Sequence, residues 1–221
     1  MPSNAEAVDI LGRGRRHTSE VEEINRPGTL TKSGRARVHA VRFFPDDASL
    51  CRLAAEFLQE GLTVGEPAIV VATPAHRERI ESELESLSHD IAQLQRSGRL
   101  VLLDTAEVLN EILVKGEPDS VRFTKLLTGA IDRVCRGRRN CTVRIYGEVV
   151  DVLWKAGMHE TAIRLEMLWN QLASTREFSL LCGYSMGSFY KDSQFHDVCG
   201  RHNHVTNEPD QSGEPSTAQP N

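Results

Sequence analysis

The sequence predicts an α/β domain: a mostly parallel central sheet of at least five strands, with helices on both faces in a three-layer sandwich. Short apolar runs alternate along the chain with segments of helical periodicity. The clearest of these runs, at 67–72, is continuously apolar, as expected of a strand buried on both faces. Strands separated by helices need right-handed crossovers, which make the sheet parallel and cover both of its sides.

The first strand is read at residues 38–43, where apolar and polar residues alternate, and Pro45-Asp46-Asp47 follows as turn chemistry. Asp47 or Ser49 is placed to cap a helix. Leu50, Leu53, Ala54, Phe57 and Leu58 recur at the spacing of one helical face, which ends near Gly61. The apolar run at 67–72 gives the second strand, and Ile80, Leu84 and Leu87 mark the helix after it. A third strand at 100–103 ends at Asp104. Ala106, Leu109 and Leu113 then form a helix, and Pro118 opens another carrying Phe123, Leu127, Ala130, Ile131 and Val134. Strand four is expected at 141–146 and strand five at 178–184. Between them lie a short helix at 149–155 and a longer one with Ala162, Leu165, Trp169, Leu172 and Ala173.

A chain of 221 residues has room for one domain with tails and needs no disulfide or metal to stabilise its core. Residues 1–36 read as a flexible leader, 37–204 as the domain and 205–221 as a disordered tail poor in apolar residues. Arg13, Arg15 and Arg16 of the leader are expected to be solvated, and the leader is too short for a helix-turn-helix. The net charge of −5 gives no basic field, so no direct nucleic-acid binding is expected. Five cysteines, odd in number and without a CxxC pair, follow the usage of a reducing compartment. No run approaches the roughly 18 apolar residues of a membrane span. These features predict a cytoplasmic protein with no membrane association.

The turn after the first strand is where a phosphate-binding loop would present backbone amides and a lysine. Here it holds Pro45, Asp46 and Asp47, with neither glycine nor lysine, so ordinary nucleotide hydrolysis is not expected. Tyr146-Gly147-Glu148 stands at the carboxyl end of a central strand, where parallel sheets present functional side chains. Glu148 is read either as a ligand acceptor or as an acid complementing the dipole of the next helix. Glu166 and Trp169 are i, i+3 neighbours on one helix, and His39 starts a strand. Gly183-Tyr184-Ser185-Met186-Gly187 matches the hydrolase GxSxG elbow, but too little chain follows to supply a strand-end acid and histidine. His196, Cys199, His202 and His204 form a cluster with metal-ligating chemistry but without the split pairs of usual zinc motifs.

The stretch from Phe57 to Val71, with Gly61-Leu62 and Gly65-Glu66, resembles the helix-to-strand segment of KaiC-like RecA domains. His39, Phe43-Phe44, Gly98 and Leu102-Leu103-Asp104 extend the resemblance. So do Val143-Arg144-Ile145-Tyr146-Gly147-Glu148, Leu153-Trp154, Leu165-Glu166, Leu168-Trp169-Asn170 and Leu181-Cys182-Gly183-Tyr184. Over about three quarters of the chain this order resembles the MEDS family, sensory domains named from methanogen and methylotroph proteins and a dichloromethane-responsive repressor. The resemblance implies a RecA/KaiC-like fold without a phosphate loop. It also implies a non-catalytic sensory role toward a small organic ligand or a signalling partner, without a cofactor. No output domain is recognisable here, so the implied output is a separate histidine kinase or transcriptional regulator. The candidate ligand-binding residues are His39, Phe43, Phe44, Asp46, Tyr146, Glu148, Glu166, Trp169 and Tyr184, with the pocket expected between Phe43, Tyr146, Glu148 and Tyr184. A degenerate nucleotide-binding ATPase and a hydrolase using Ser185 are the alternatives.

Overall fold

Each expected strand forms, but the first helix is capped by Asp46 rather than by Asp47 or Ser49, and Pro118 lies in a short strand while Asp119 caps the helix it was expected to open. The computed structural model describes residues 39–136, 138, 140–185 and 204–207, the last four as backbone only. The expected leader and nearly all of the expected tail lie outside these residues. Strand β1 (His39–Phe44) leads into helix α1 (Asp47–Thr63), whose N-cap Asp46 accepts the Ser49 amide at 2.8 Å. β2 (Ala68–Ala72) is buried at every position and is followed by α2 (Pro74–Ser86), with Thr73 at the N-cap and proline at N1. α3 (Ile91–Arg96) follows, capped by Asp90, then β3 (Leu100–Asp104) and α4 (Thr105–Ile112), capped by Asp104.

A two-residue hairpin, β4 (Leu113–Val114) and β5 (Glu117–Pro118), precedes α5 (Ser120–Cys135). β6 (Val143–Gly147), α6 (Val149–Lys155), α7 (His159–Thr175) and β7 (Phe178–Ser185) complete the pattern, and β8 (His204–Asn207) adds an edge. The main sheet runs β3-β2-β6-β7-β1-β8, and every neighbouring pair is parallel. Because side chains alternate across a strand, the core divides in two. Val70, Tyr146, Phe44 and Leu181 pack with α1, α2 and α3. Ile69, Ile145, Phe43, Leu180 and Tyr184 pack with the four helices α4 to α7 on the other face. No helix among the described residues is long and apolar enough to cross a membrane.

Four further readings of the sequence are corrected. Leu113 is not helical, because Lys115 and Gly116 take φ of 55° and 82° and turn the chain into the hairpin. The buried face of α1 is rotated by about one residue: Cys51 and Ala55 are inside, while Leu53 and Phe57 are only half-buried. Residues 205–207, expected in the polar tail, pair with β1 because its outer edge offers unpaired backbone groups. The cysteines are not all free, since Cys135 at the end of α5 is bonded to Cys141. Arg136, in the left-handed region, ends the helix and helps bring the two Cα atoms to 5.8 Å. Reducing this short loop's bridge should lower stability by about 2 kcal/mol. Urea titration with and without reductant measures it, and coincident curves would show that the bridge does not constrain the unfolded chain.

Candidate functional site

The carboxyl edge of the sheet is lined with acids that the chain itself satisfies. Asp46 caps α1, and Asp104 caps α4 while pairing with Arg77 at 3.0 Å. Asp151, whose carboxyl is pushed up by burial, accepts the Ser185 amide at 3.0 Å and pairs with Lys155 at 2.7 Å. Glu148 is the deepest, with its side chain 2% exposed. Its Oε1 accepts the Thr73 amide at 2.6 Å, while Oε2 takes His76 Nδ1 at 2.7 Å and the Tyr146 hydroxyl at 3.1 Å.

On the other side of the imidazole, His76 Nε2 lies 3.6 Å from Asp47, whose side chain is 71% exposed. A polar path therefore runs from solvent at Asp47 through His76 to the buried Glu148 and Tyr146, and it ties α1, α2 and β6 together. The hydrogen bond to Glu148 raises the pKa of His76, against the opposing effect of burial. Burial, reinforced by the Glu148 charge, holds the Tyr146 hydroxyl far above its ordinary range and pushes the Cys51 thiol up to about 12. Tyr146 has room only because its neighbour is glycine: a Cβ on Gly183 would stand 2.9 Å from Tyr146 Oη and 3.3 Å from Leu50. Gly183→Ala is therefore expected to cost about 1–3 kcal/mol by chemical denaturation. A change within about 0.5 kcal/mol would mean that Tyr146 is not held as described.

The opposite face carries a second polar cluster, in which His39, Glu166, Cys182 and Tyr184 are buried and Asn170 reaches the surface. His39 Nδ1 lies 2.8 Å from Asn170 Oδ1, and its Nε2 is 3.3 Å from Glu166 Oε2 and 3.6 Å from Cys182 Sγ. Tyr184 donates its hydroxyl to Glu166 Oε1 at 2.7 Å and packs on Phe43 with ring centroids 5.7 Å apart. Burial first, and the Glu166 charge second, hold the Cys182 thiol and the Tyr184 hydroxyl well above their usual ranges. Trp169 meets Phe123 edge-on at 5.1 Å and Phe178 at 6.1 Å.

The sequence model of a family described as "MEDS: MEthanogen/methylotroph, DcmR Sensory domain" matches residues 38–203. The chain belongs to this family. Membership of this family of sensory domains gives the chain a sensory role. Among solved structures it is similar to a KaiC-like protein from the hyperthermophilic archaeon Pyrococcus horikoshii OT3. That likeness has 15% identity, covers 83% of this chain and 78% of that one, and has a TM-score of 0.49. No curated protein matches the sequence.

In this MEDS domain the expected single pocket does not form. Tyr146 and Phe44 belong to one side of the sheet, Phe43 and Tyr184 to the other, so the sheet itself lies between them. His39, Glu166 and Tyr184 come together with Phe43, while Trp169 is a core aromatic on the same face. Tyr146 and Glu148 form the other group, and Asp46 serves as a helix cap. Glu148 stands at the N-cap position of α6 without a side-chain cap there, and its carboxylate reaches instead to the start of α2.

His76, Asp47, Asn170 and Cys182 are absent from the candidate ligand-binding residues read from the sequence. The Thr73-Pro74 start signal does place His76 in the first helical turn beyond a strand's carboxyl end. Ser185 ends β7, while Met186, Gly187, His196, Cys199 and His202 lie outside the described residues, as does the side chain of His204. A cavity of about 310 Å³ opens at the other end of the sheet, lined by Asp132, Cys135, Arg138, Cys141 and Arg176 among others.

Proposed function

We propose that this chain is a non-catalytic, cytoplasmic sensory domain that binds a small organic ligand and relays the event to a separate histidine kinase or transcriptional regulator. The observation that carries the reading is the polar path Asp47–His76–Glu148–Tyr146 at the carboxyl edge of the sheet. A ligand with its own donor or acceptor at Asp47 and His76 competes for the groups that join α1, α2 and β6. It shifts the domain between two arrangements only by binding one of them more tightly.

The β1–α1 turn supports the non-catalytic part of the reading. The amide that a phosphate would need at the start of α1 is already bonded to Asp46, and Asp47 adds a second negative charge. The test is a thermal-shift screen of small organic compounds against the wild type and His76→Asn, with capture of the candidate kinase or regulator in parallel. Binding that weakens in His76→Asn supports the site. Binding left unchanged there moves it elsewhere, and capture of a regulator without any ligand response favours a pure interaction module. ATP turnover lost in Glu148→Gln would favour the nucleotide-hydrolysing alternative.

A further inference from the structure

We propose that His39, Glu166 and Cys182 form a binding site for one divalent transition-metal ion of the zinc class, built between β1, α7 and β7. The three side chains are buried, and their ligand atoms all lie within 4.8 Å of one another. Bond lengths near 2.0–2.2 Å for nitrogen and oxygen and 2.3 Å for sulfur, at tetrahedral angles, require N···O of about 3.3 Å and S···N of about 3.6 Å. The observed separations are 3.3 Å from His39 Nε2 to Glu166 Oε2 and 3.6 Å from Cys182 Sγ to His39 Nε2. An ion about 2.0–2.2 Å from the nitrogen and oxygen and about 2.3 Å from the sulfur fits these two edges with little movement.

Second contacts aim the same atoms inward. With its proton on Nδ1, facing Asn170 Oδ1 at 2.8 Å, His39 turns the Nε2 lone pair toward Glu166 and Cys182. Metal-bound histidines are held in this way by an acceptor on the other ring nitrogen. Glu166 is oriented by the Tyr184 hydroxyl on Oε1, which leaves Oε2 on the side of His39.

Charge favours the same class of ion. A divalent cation with one thiolate, one carboxylate and one neutral imidazole sums to zero, so the buried site carries no net charge. Thiolate with imidazole suits zinc and its cobalt surrogate, whereas magnesium and calcium take oxygen ligands. On binding, the Cys182 S–H bond breaks, its electron pair forms the sulfur–metal bond, and one proton leaves to solvent. No oxidant or reductant takes part. The inference is independent of which ligand the domain senses.

The test measures zinc in untagged protein produced with zinc supplementation, and optical absorption after refolding with cobalt(II). The expected result is close to one zinc per chain and a thiolate-to-cobalt charge-transfer band. Cys182→Ser should lose the band and most of the zinc, while Cys51→Ser and Cys199→Ser keep both. Tyr184→Phe should weaken metal affinity by about 10–100-fold with the band retained. Folded wild type that takes up neither metal overturns the proposal, whatever the variants do. So does a band that disappears in Cys199→Ser rather than in Cys182→Ser, which would assign the metal to the His196–His204 segment.

Discussion

Glu148→Ala is expected to cost about 3–5 kcal/mol and to lower the midpoint of thermal unfolding by about 10 °C. The carboxylate takes three donors, from the Thr73 amide, His76 and the Tyr146 hydroxyl, and alanine leaves all three facing a void. Each buried donor without an acceptor costs about 1–3 kcal/mol, and the three are not fully additive because they share one acceptor group. Glu148→Gln separates shape from charge. Its oxygen can still accept from Thr73, and its NH₂ can donate to a neutral His76 Nδ1, so most of the stability should remain. Equal losses in the two variants would show that the charge, and not the hydrogen-bond geometry, holds the site.

The same site sets a pH dependence whose sign follows from His76. Its folded pKa is raised above the ordinary 6.5, chiefly by the bond to Glu148, so the folded state holds the proton more tightly than the unfolded chain. The stabilisation is complete below the unfolded value near 6.5 and is lost as pH rises through the raised folded value. His76→Asn keeps a donor close to the position of Nδ1 but cannot titrate. The difference in unfolding free energy between wild type and His76→Asn should therefore shrink as pH rises above about 6.5. A difference that stays constant with pH would mean that His76 does not carry the charge.

Much of the fold was legible because its signals are local. The 67–72 run has no polar residue to permit a solvent face, and β2 is indeed buried throughout. Asp104 and the Thr73-Pro74 pair mark helix starts within a few residues of themselves, while the cap of α1 is Asp46, one residue before the expected Asp47. Residue parity within a strand was legible too: Phe43 and Phe44 are adjacent in β1, so period two already forbids them a common pocket.

The site was less legible because its contacts join distant positions. Glu148 and His76 are 72 residues apart, His39 and Asn170 131, and His39 and Cys182 143. Only the register of β1 against β7, which sets Val41 opposite Cys182 and Phe43 opposite Tyr184, brings the second cluster together. That register comes from the crossovers and from packing of α7, and no spacing in the chain records it. Two residues of the resemblance to MEDS domains acquire physical reasons here. A Cβ on Gly61 would collide with the Arg144 side chain, which pairs with Glu60 and Glu66 and lies over the Phe57 ring. Gly183 does the same service for Tyr146.

Trp169→Ala should be as damaging as the loss of Glu148, at about 3–5 kcal/mol, because the indole fills the space between α7, α5 and β7. Its edge-on contact with Phe123, at 89° between ring planes, and its contact with Phe178 add about 0.5–1.5 kcal/mol per pair beyond burial. Truncation leaves a void that two helices and a strand, each fixed by other contacts, close only in part. Trp169→Phe keeps one ring in place and should lose roughly half as much. A residue lining a ligand site behaves differently: its truncation spares stability and removes binding. Urea titration of both variants, followed by the ligand screen on whichever stays folded, separates the two roles. A stability loss under about 1 kcal/mol in Trp169→Ala would return this tryptophan to the ligand-binding residues, since a core indole cannot be removed that cheaply.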